Sequence, residues 1–309
     1  MPASAFTSIA LHPNSLRKHQ LRLHFIVFIW GFTAILGDLI SKQAIVLVWN
    51  RIGITLVALL IYFWWAKIPL RIKPKAIGIM ALAGTIIAAH WITFFHAIKI
   101  SNVSITLVCM SSGAFFASLL EPIYFKRKIL LAEILLGAVV IGAIGMIFTL
   151  RIEYGWGIAT ALFSAFLSAL FSVINGKLTH DFEPELITYY ELGSGWLAIT
   201  GLLIATNSFT WSILPNTTTD WVYLIILGTV CTAYPFIESV RVMKHLTPFT
   251  VVLSINMEPV YGIILAYFLL GSKEHMSPTF YGGALVIIAV LFANAWLQKR
   301  KKLPHSQPE

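Results

Sequence analysis

Apolar residues run through this chain in long blocks, separated by short polar or basic segments. Ten blocks can be placed, at 23–41, 44–66, 76–98, 103–125, 130–150, 156–174, 186–206, 220–240, 248–270 and 279–297. Each is close to the roughly 17 to 25 residues that a helix needs to cross a bilayer. The pattern predicts an all-α integral membrane protein with ten transmembrane helices and little chain left for a soluble domain. Residues 1–22 form an N-terminal segment, 23–150 a first five-helix unit, 156–297 a second, and 298–309 a tail. Leu23–Ile40 follows Arg17, Lys18 and Arg22, but it is long for a signal peptide and has no convincing small-residue cleavage site, so it reads as a retained first helix.

Charge gives the blocks a direction. With the N-terminus in the cytoplasm, 17 of the 22 Lys and Arg residues fall in inside segments, whereas Lys42, Lys99, Arg151 and Lys273 fall outside and Arg51 lies within the second helix. That asymmetry predicts a multi-pass protein of the cell (inner) membrane with both termini cytoplasmic. It also explains the net charge of +9 without nucleic acid. Composition agrees, because 58% of residues are hydrophobic and 11% charged, against about 25% charged in soluble domains. Cys109 and Cys231 both lie in apolar stretches and give no support to a disulfide framework or a Cys-based metal site.

The halves match weakly under one constant offset, with Ser101 against Thr247 and Gly137-Ala138 against Gly283-Ala284. Five helices is an odd number, so the second unit enters the membrane in the opposite sense. The expectation is two inverted five-helix repeats with a binding site at their interface, as in many secondary transporters.

Two Glu-Pro pairs stand out. Glu121-Pro122 and Glu258-Pro259 each combine an ionisable group with a helix breaker. A carboxylate at membrane depth costs about 2.5 to 3.5 kcal/mol on insertion scales and usually faces a cavity or a partner. Each proline frees a carbonyl one turn earlier, that of Ser118 or Ile255. The bland reading is a protonated, packed glutamate beside a tolerated kink. The pairs are not equivalent under the repeat offset: Glu258 is close to the midplane, while Glu121 is five residues before Lys126-Arg127-Lys128 and suits a cytoplasmic gate or ion pair. Glu183-Pro184, in a charged inside loop, is an ordinary turn.

The ten-helix plan, Lys244-His245-Leu246-Thr247-Pro248 leading into helix nine, and Met257-Glu258-Pro259-Val260 followed by Leu269-Leu270-Gly271 resemble the EamA-type members of the drug/metabolite transporter superfamily. His96-Ala97-Ile98-Lys99-Ile100-Ser101 is the first-half counterpart. The resemblance covers nearly the whole chain. It implies a helix bundle around a central cavity and export or exchange of small metabolites such as amino acids, without ATP or a cofactor. Ser272 stands where the family often has an acidic residue after helix nine, and Glu274 is the candidate substitute.

Glu258 is the leading candidate for binding solute or a proton, since a carboxyl at that depth can hold a proton until the cavity opens to water. Asn256, two residues earlier, is either functional or a partner for a freed backbone group. Arg51 carries a planar fork suited to a carboxylate, from solute or from protein. Glu191 in the matching helix of the second unit is its acidic comparison, so an Arg51–Glu191 or Arg51–Glu258 pair competes with solute recognition. His90 suits a proton relay or plain packing. Trp30, Trp91 and Tyr234 are expected to border the central space, while Trp64 and Trp65 read as interface anchors. Pro235 frees the carbonyl of Cys231 and predicts a kink in helix eight.

No metal-binding spacing, no phosphate loop and no G-x-S-x-G elbow occurs, so neither metal nor cofactor nor enzymatic activity is expected. The leading function is a secondary transporter for a small metabolite, with proton exchange as its coupling; the alternative is a passive channel or lipid-handling membrane protein. Expected partners are a small-molecule substrate, the lipid bilayer and a second copy of the chain as a homodimer.

Overall fold

The computed structural model describes residues 13–72, 74–126, 135, 138–139, 142–143, 152–246, 251, 254–255 and 257–301. Its described helices are α1 (Pro13–Leu39), α2 (Ala44–Ala66), α3 (Pro74–Ile100), α4 (Val103–Met110), α5 (Gly113–Phe125), α6 (Gly155–Leu178), α7 (Pro184–Ala205), α8 (Thr218–Gly228), α9 (Tyr234–Val242), α10 (Glu258–Leu269) and α11 (Pro278–Lys301). No strand occurs among the described residues. Six described stretches are long and apolar enough to cross a membrane, among them Ala44–Ala66 and Val103–Phe125, so the chain is a multi-pass membrane protein. The fifth expected span, 130–150, lies almost wholly outside the described residues, as does the start of the ninth.

Three helices depart from the sequence expectation. α1 begins about ten residues early, at Pro13, a residue whose missing N–H is no loss in a first turn. The single helix expected at 103–125 is broken at Ser111-Ser112 into α4 and α5. The hydroxyl of Ser112 donates to the carbonyl of Cys109 at 2.7 Å, beside its own N–H at 3.0 Å, closing the turn between the two helices. A kink expected from Pro235 takes the form of a π-turn at Thr229–Ala233 directly before α9, which absorbs the disturbance inside an otherwise continuous span.

Glu258-Pro259 also changes character. Instead of interrupting a regular helix, Pro259 sits in the first turn of α10, after a turn at Met257. Helices four and nine of the sequence plan are thus both broken, at Ser111-Ser112 and at Met257, positions that the repeat offset sets against each other.

The two halves interlock. α3 packs along α6 and α7, α1 along α10, α4 between α6 and α10, and α2 along α7 and α8. Close approach is built with glycine where α3 crosses α7: a Cβ on Gly84 would lie 2.0 Å from the Glu191 carbonyl oxygen, and one on Gly195 would lie 2.6 Å from that of Gly84. Apolar lipid gives helices no hydrophobic reason to associate, so such contact depends on packing, which small residues permit.

One end of the bundle is basic and ionically tied. Arg22 of α1 bonds Glu238 of α9 at 2.9 Å, Arg241 joins both Glu238 and Glu185 of α7, and Lys244 bonds Glu183 at 2.9 Å. The opposite end is tied by backbone caps. Lys99 donates to the carbonyls of Asp38 and Ile40, Ser41 bonds Asp220, and Glu274 accepts from Val103 N, Ser104 N and Ser104 Oγ at 2.7 to 3.0 Å. Glu274, the candidate substitute for an acidic residue at Ser272, holds the N-terminus of α4 with charge of the favourable sign.

Candidate functional site

A cavity opens between the two halves, drawing its wall from α1, α2, α3, α4, α6, the π-turn, α9 and the start of α10. The space, counted to its open side, is about 670 Å³. Aromatic and apolar groups supply most of the wall: Trp30, Trp91, Phe94, Phe171, Phe236, Met110, Met243 and Ile255. Arg51, Glu258, His90, Thr33, Thr232 and the serines Ser168, Ser172 and Ser239 supply the polar points.

Arg51 is held in place by two contacts and left free at a third. Its guanidinium lies 3.9 Å from the Trp91 ring centroid, a cation–π contact worth about 2 kcal/mol when desolvated. Nε donates to Thr232 Oγ1 at 2.7 Å, and that hydroxyl in turn donates to the Leu227 carbonyl five residues back. The π-turn thus aims a threonine at the arginine. Nη1 has no hydrogen-bond partner although Arg51 is only 2% exposed. Glu258 attracts the guanidinium electrostatically without satisfying Nη1. A buried, unpartnered charged donor costs free energy, so a preformed fork of this kind is a strong acceptor of an anion.

His90 is tied across to α6. Its Nδ1 lies 3.0 Å from the Ser164 carbonyl and 2.8 Å from Ser164 Oγ, while that hydroxyl donates to the His90 carbonyl at 2.9 Å. A carbonyl can only accept, so Nδ1 carries the proton and Nε2 is left as an acceptor. The pairing makes His90 a brace between helices and a polar point on the cavity wall.

Of the residues singled out in the sequence, Arg51, Glu258, His90, Trp30 and Trp91 are brought together. Glu191 is not: it is fully buried away from the cavity lining, bonded by Asn175 Nδ2 at 3.1 Å. An Arg51–Glu191 pair is thereby excluded. Tyr234 is 47% exposed and outside the lining, because the π-turn rotates it outward and presents Thr232 and Phe236 instead. Glu121 is buried on α5 with Pro122 beside it, toward the Lys126 end and outside the lining. Asn256 lies outside the described residues. Thr232, Ser168 and Ser172 were missed. The i, i+4 spacing of the two serines on α6 was the available signal, while Thr232 had none because the π-turn decides its direction.

The chain is similar to known proteins in three comparisons. Residues 155–296 match the EamA-like transporter family. A curated relative from Archaeoglobus fulgidus, described as an uncharacterized transporter, is 26% identical over 158 residues, or 50% of this chain and 55% of the relative. The chain thus spans about half the length of that relative. A solved structure described only as "Crystal structure of protein" superposes with a TM-score of 0.68 over 93% of this chain and 99% of its own, at 14% identity, a likeness of fold. The family match and the relative bear out the resemblance to EamA-type drug/metabolite transporters.

Proposed function

We propose that this EamA-type membrane transporter exports or exchanges a small zwitterionic metabolite, an amino acid or related compound, across the inner membrane in exchange for protons. The observation that carries the reading is Arg51 Nη1, a buried donor without a partner on the wall of an otherwise largely apolar cavity. A solute carboxylate satisfies it, a solute ammonium suits Glu258, and the aromatic wall accepts an apolar side chain. The paired breaks at Ser111-Ser112 and Met257 support the inverted-repeat reading, in which discontinuous helices of the two halves meet at a central site. Both termini then lie in the cytoplasm, and the ionic end is the cytoplasmic face.

Glu258 is the coupling group in this scheme. With a proton it tolerates the closed cavity, and on losing the proton it receives the solute ammonium. Uptake of labelled amino acids into proteoliposomes under an imposed pH gradient tests it. Wild-type protein is expected to follow the gradient and Glu258→Gln to lose that dependence; unchanged pH dependence in the variant contradicts the proton role.

A further inference from the structure

Beyond the cavity, the bundle buries a second polar pair whose hydrogen bonding is incomplete in a specific way. Glu191 of α7 and Asn175 of α6 are each 0% exposed. Asn175 Nδ2 donates to Glu191 Oε2 at 3.1 Å, yet Glu191 Oε1 and Asn175 Oδ1 both lack a partner. Both orphans are acceptors, and so long as the carboxyl is ionised neither can help the other. Adding one proton to Oε1 changes that: with the amide N–H still donating to Oε2, the carboxyl gains the O–H donor that Asn175 Oδ1 lacks. Thr188, one turn before Glu191, also has an unpartnered buried hydroxyl.

We propose that Glu191 and Asn175 form a proton-binding site of their own, separate from the solute cavity and joined to it along α6. The joining path is a polar stripe. Ser168, Ser172 and Asn175 follow at intervals of four and three, on one face of the helix, and all are buried. The two serines are on the cavity wall, so Asn175 lies one turn beyond solvent that enters the cavity. A proton leaves Glu191 Oε1 for water in the cavity by this route and returns the same way.

Among the described residues, no charged group on the packed elements pairs with Glu191. Arg51 of α2 stacks on Trp91, His90 of α3 is bonded to Ser164, Lys177 of α6 lies over Tyr124, and Arg241 of α9 is bonded to Glu185 of α7. Burial and the Asn175 amide are the influences on the Glu191 carboxyl. Without a charge to balance a carboxylate, a proton is the ligand that this site takes.

Infrared difference spectra of the purified full chain in lipid test the site with the proton as probe. Wild type is expected to show the carbonyl-stretch band of a protonated carboxyl that responds to bulk pH and moves in D2O. The Glu191 component of the band is lost in Glu191→Gln, while that of Glu258 remains. In Asn175→Leu the Glu191 component persists at shifted frequency, because the acid carbonyl has lost its N–H donor, and in Ser172→Ala its deuteration slows several-fold. Identical spectra for wild type and Glu191→Gln overturn the site. A Glu191 band that neither pH nor deuterium moves overturns it too, by showing a sealed structural proton. Deuteration of Ser172→Ala at the wild-type rate overturns the path along α6. These spectra read a proton on the chain and not solute movement, so they fail independently of the reading of the cavity.

Discussion

At the scale of single residues, the arginine explains most of the site's chemistry. In the proposed recognition of solute, Arg51 depends on Trp91 beneath it and Thr232 beside it, which fix the plane of the fork so that Nη1 is left over. Thr232→Val keeps the size of the side chain but removes the hydroxyl that accepts from Nε. The loss leaves a second buried donor unsatisfied, at a cost of about 1 to 3 kcal/mol. The expected outcome is a weakened solute affinity with a normally folded protein, read as an increased half-saturation concentration in proteoliposome uptake. Wild-type affinity in Thr232→Val contradicts the positioning role. Arg51 and Glu258 were legible as candidates from the sequence because charge in a bilayer-length helix is costly and rare. Trp91 was expected at the central space but its stacking on Arg51 depends on the register between α2 and α3, and Thr232 was not legible because it depends on the π-turn.

At the scale of elements, the bundle depends on close crossings and on broken helices. Gly84 and Gly195 allow α3 and α7 to meet backbone to backbone. Gly84→Leu is expected to lower stability by about 1 to 3 kcal/mol or more through overpacking, seen as a lower melting temperature in detergent. Gly78, on the same helix with nothing within 4 Å of its Cβ position, is the control: Gly78→Leu should melt as wild type. Spans and their order were readable from apolar block length, and α2, α3, α6 and α7 end within a few residues of expectation. The break at Ser111-Ser112 was not foreseen, because both serines sit in a run apolar enough to pass as one helix. Asn102, whose side chain caps Ile105 N at 2.8 Å, marks the start of α4 as a sequence signal. Pro235 did announce a disturbance, which takes the form of a π-turn packed against α2.

At the scale of the whole molecule, the two ends differ in kind. The basic end is joined across the halves by side-chain ion pairs, from Arg22 to Glu238 to Arg241 to Glu185, whereas the opposite end is held by side chains on backbone groups, as in Glu274 on the N-terminus of α4. Ion pairs that are partly exposed separate at little cost, while an end held by buried caps opens with more difficulty. Between them lies the cavity, with wall from both halves, so that movement of one half against the other changes its access. On the proposed carrier reading, solute moves only by cycling and flux saturates. Counterflow of a labelled amino acid into proteoliposomes preloaded with the unlabelled compound tests that most directly. The account predicts saturable, trans-stimulated uptake with wild type and none with Arg51→Gln. Flux that rises linearly without trans-stimulation, or undiminished counterflow in Arg51→Gln, contradicts it.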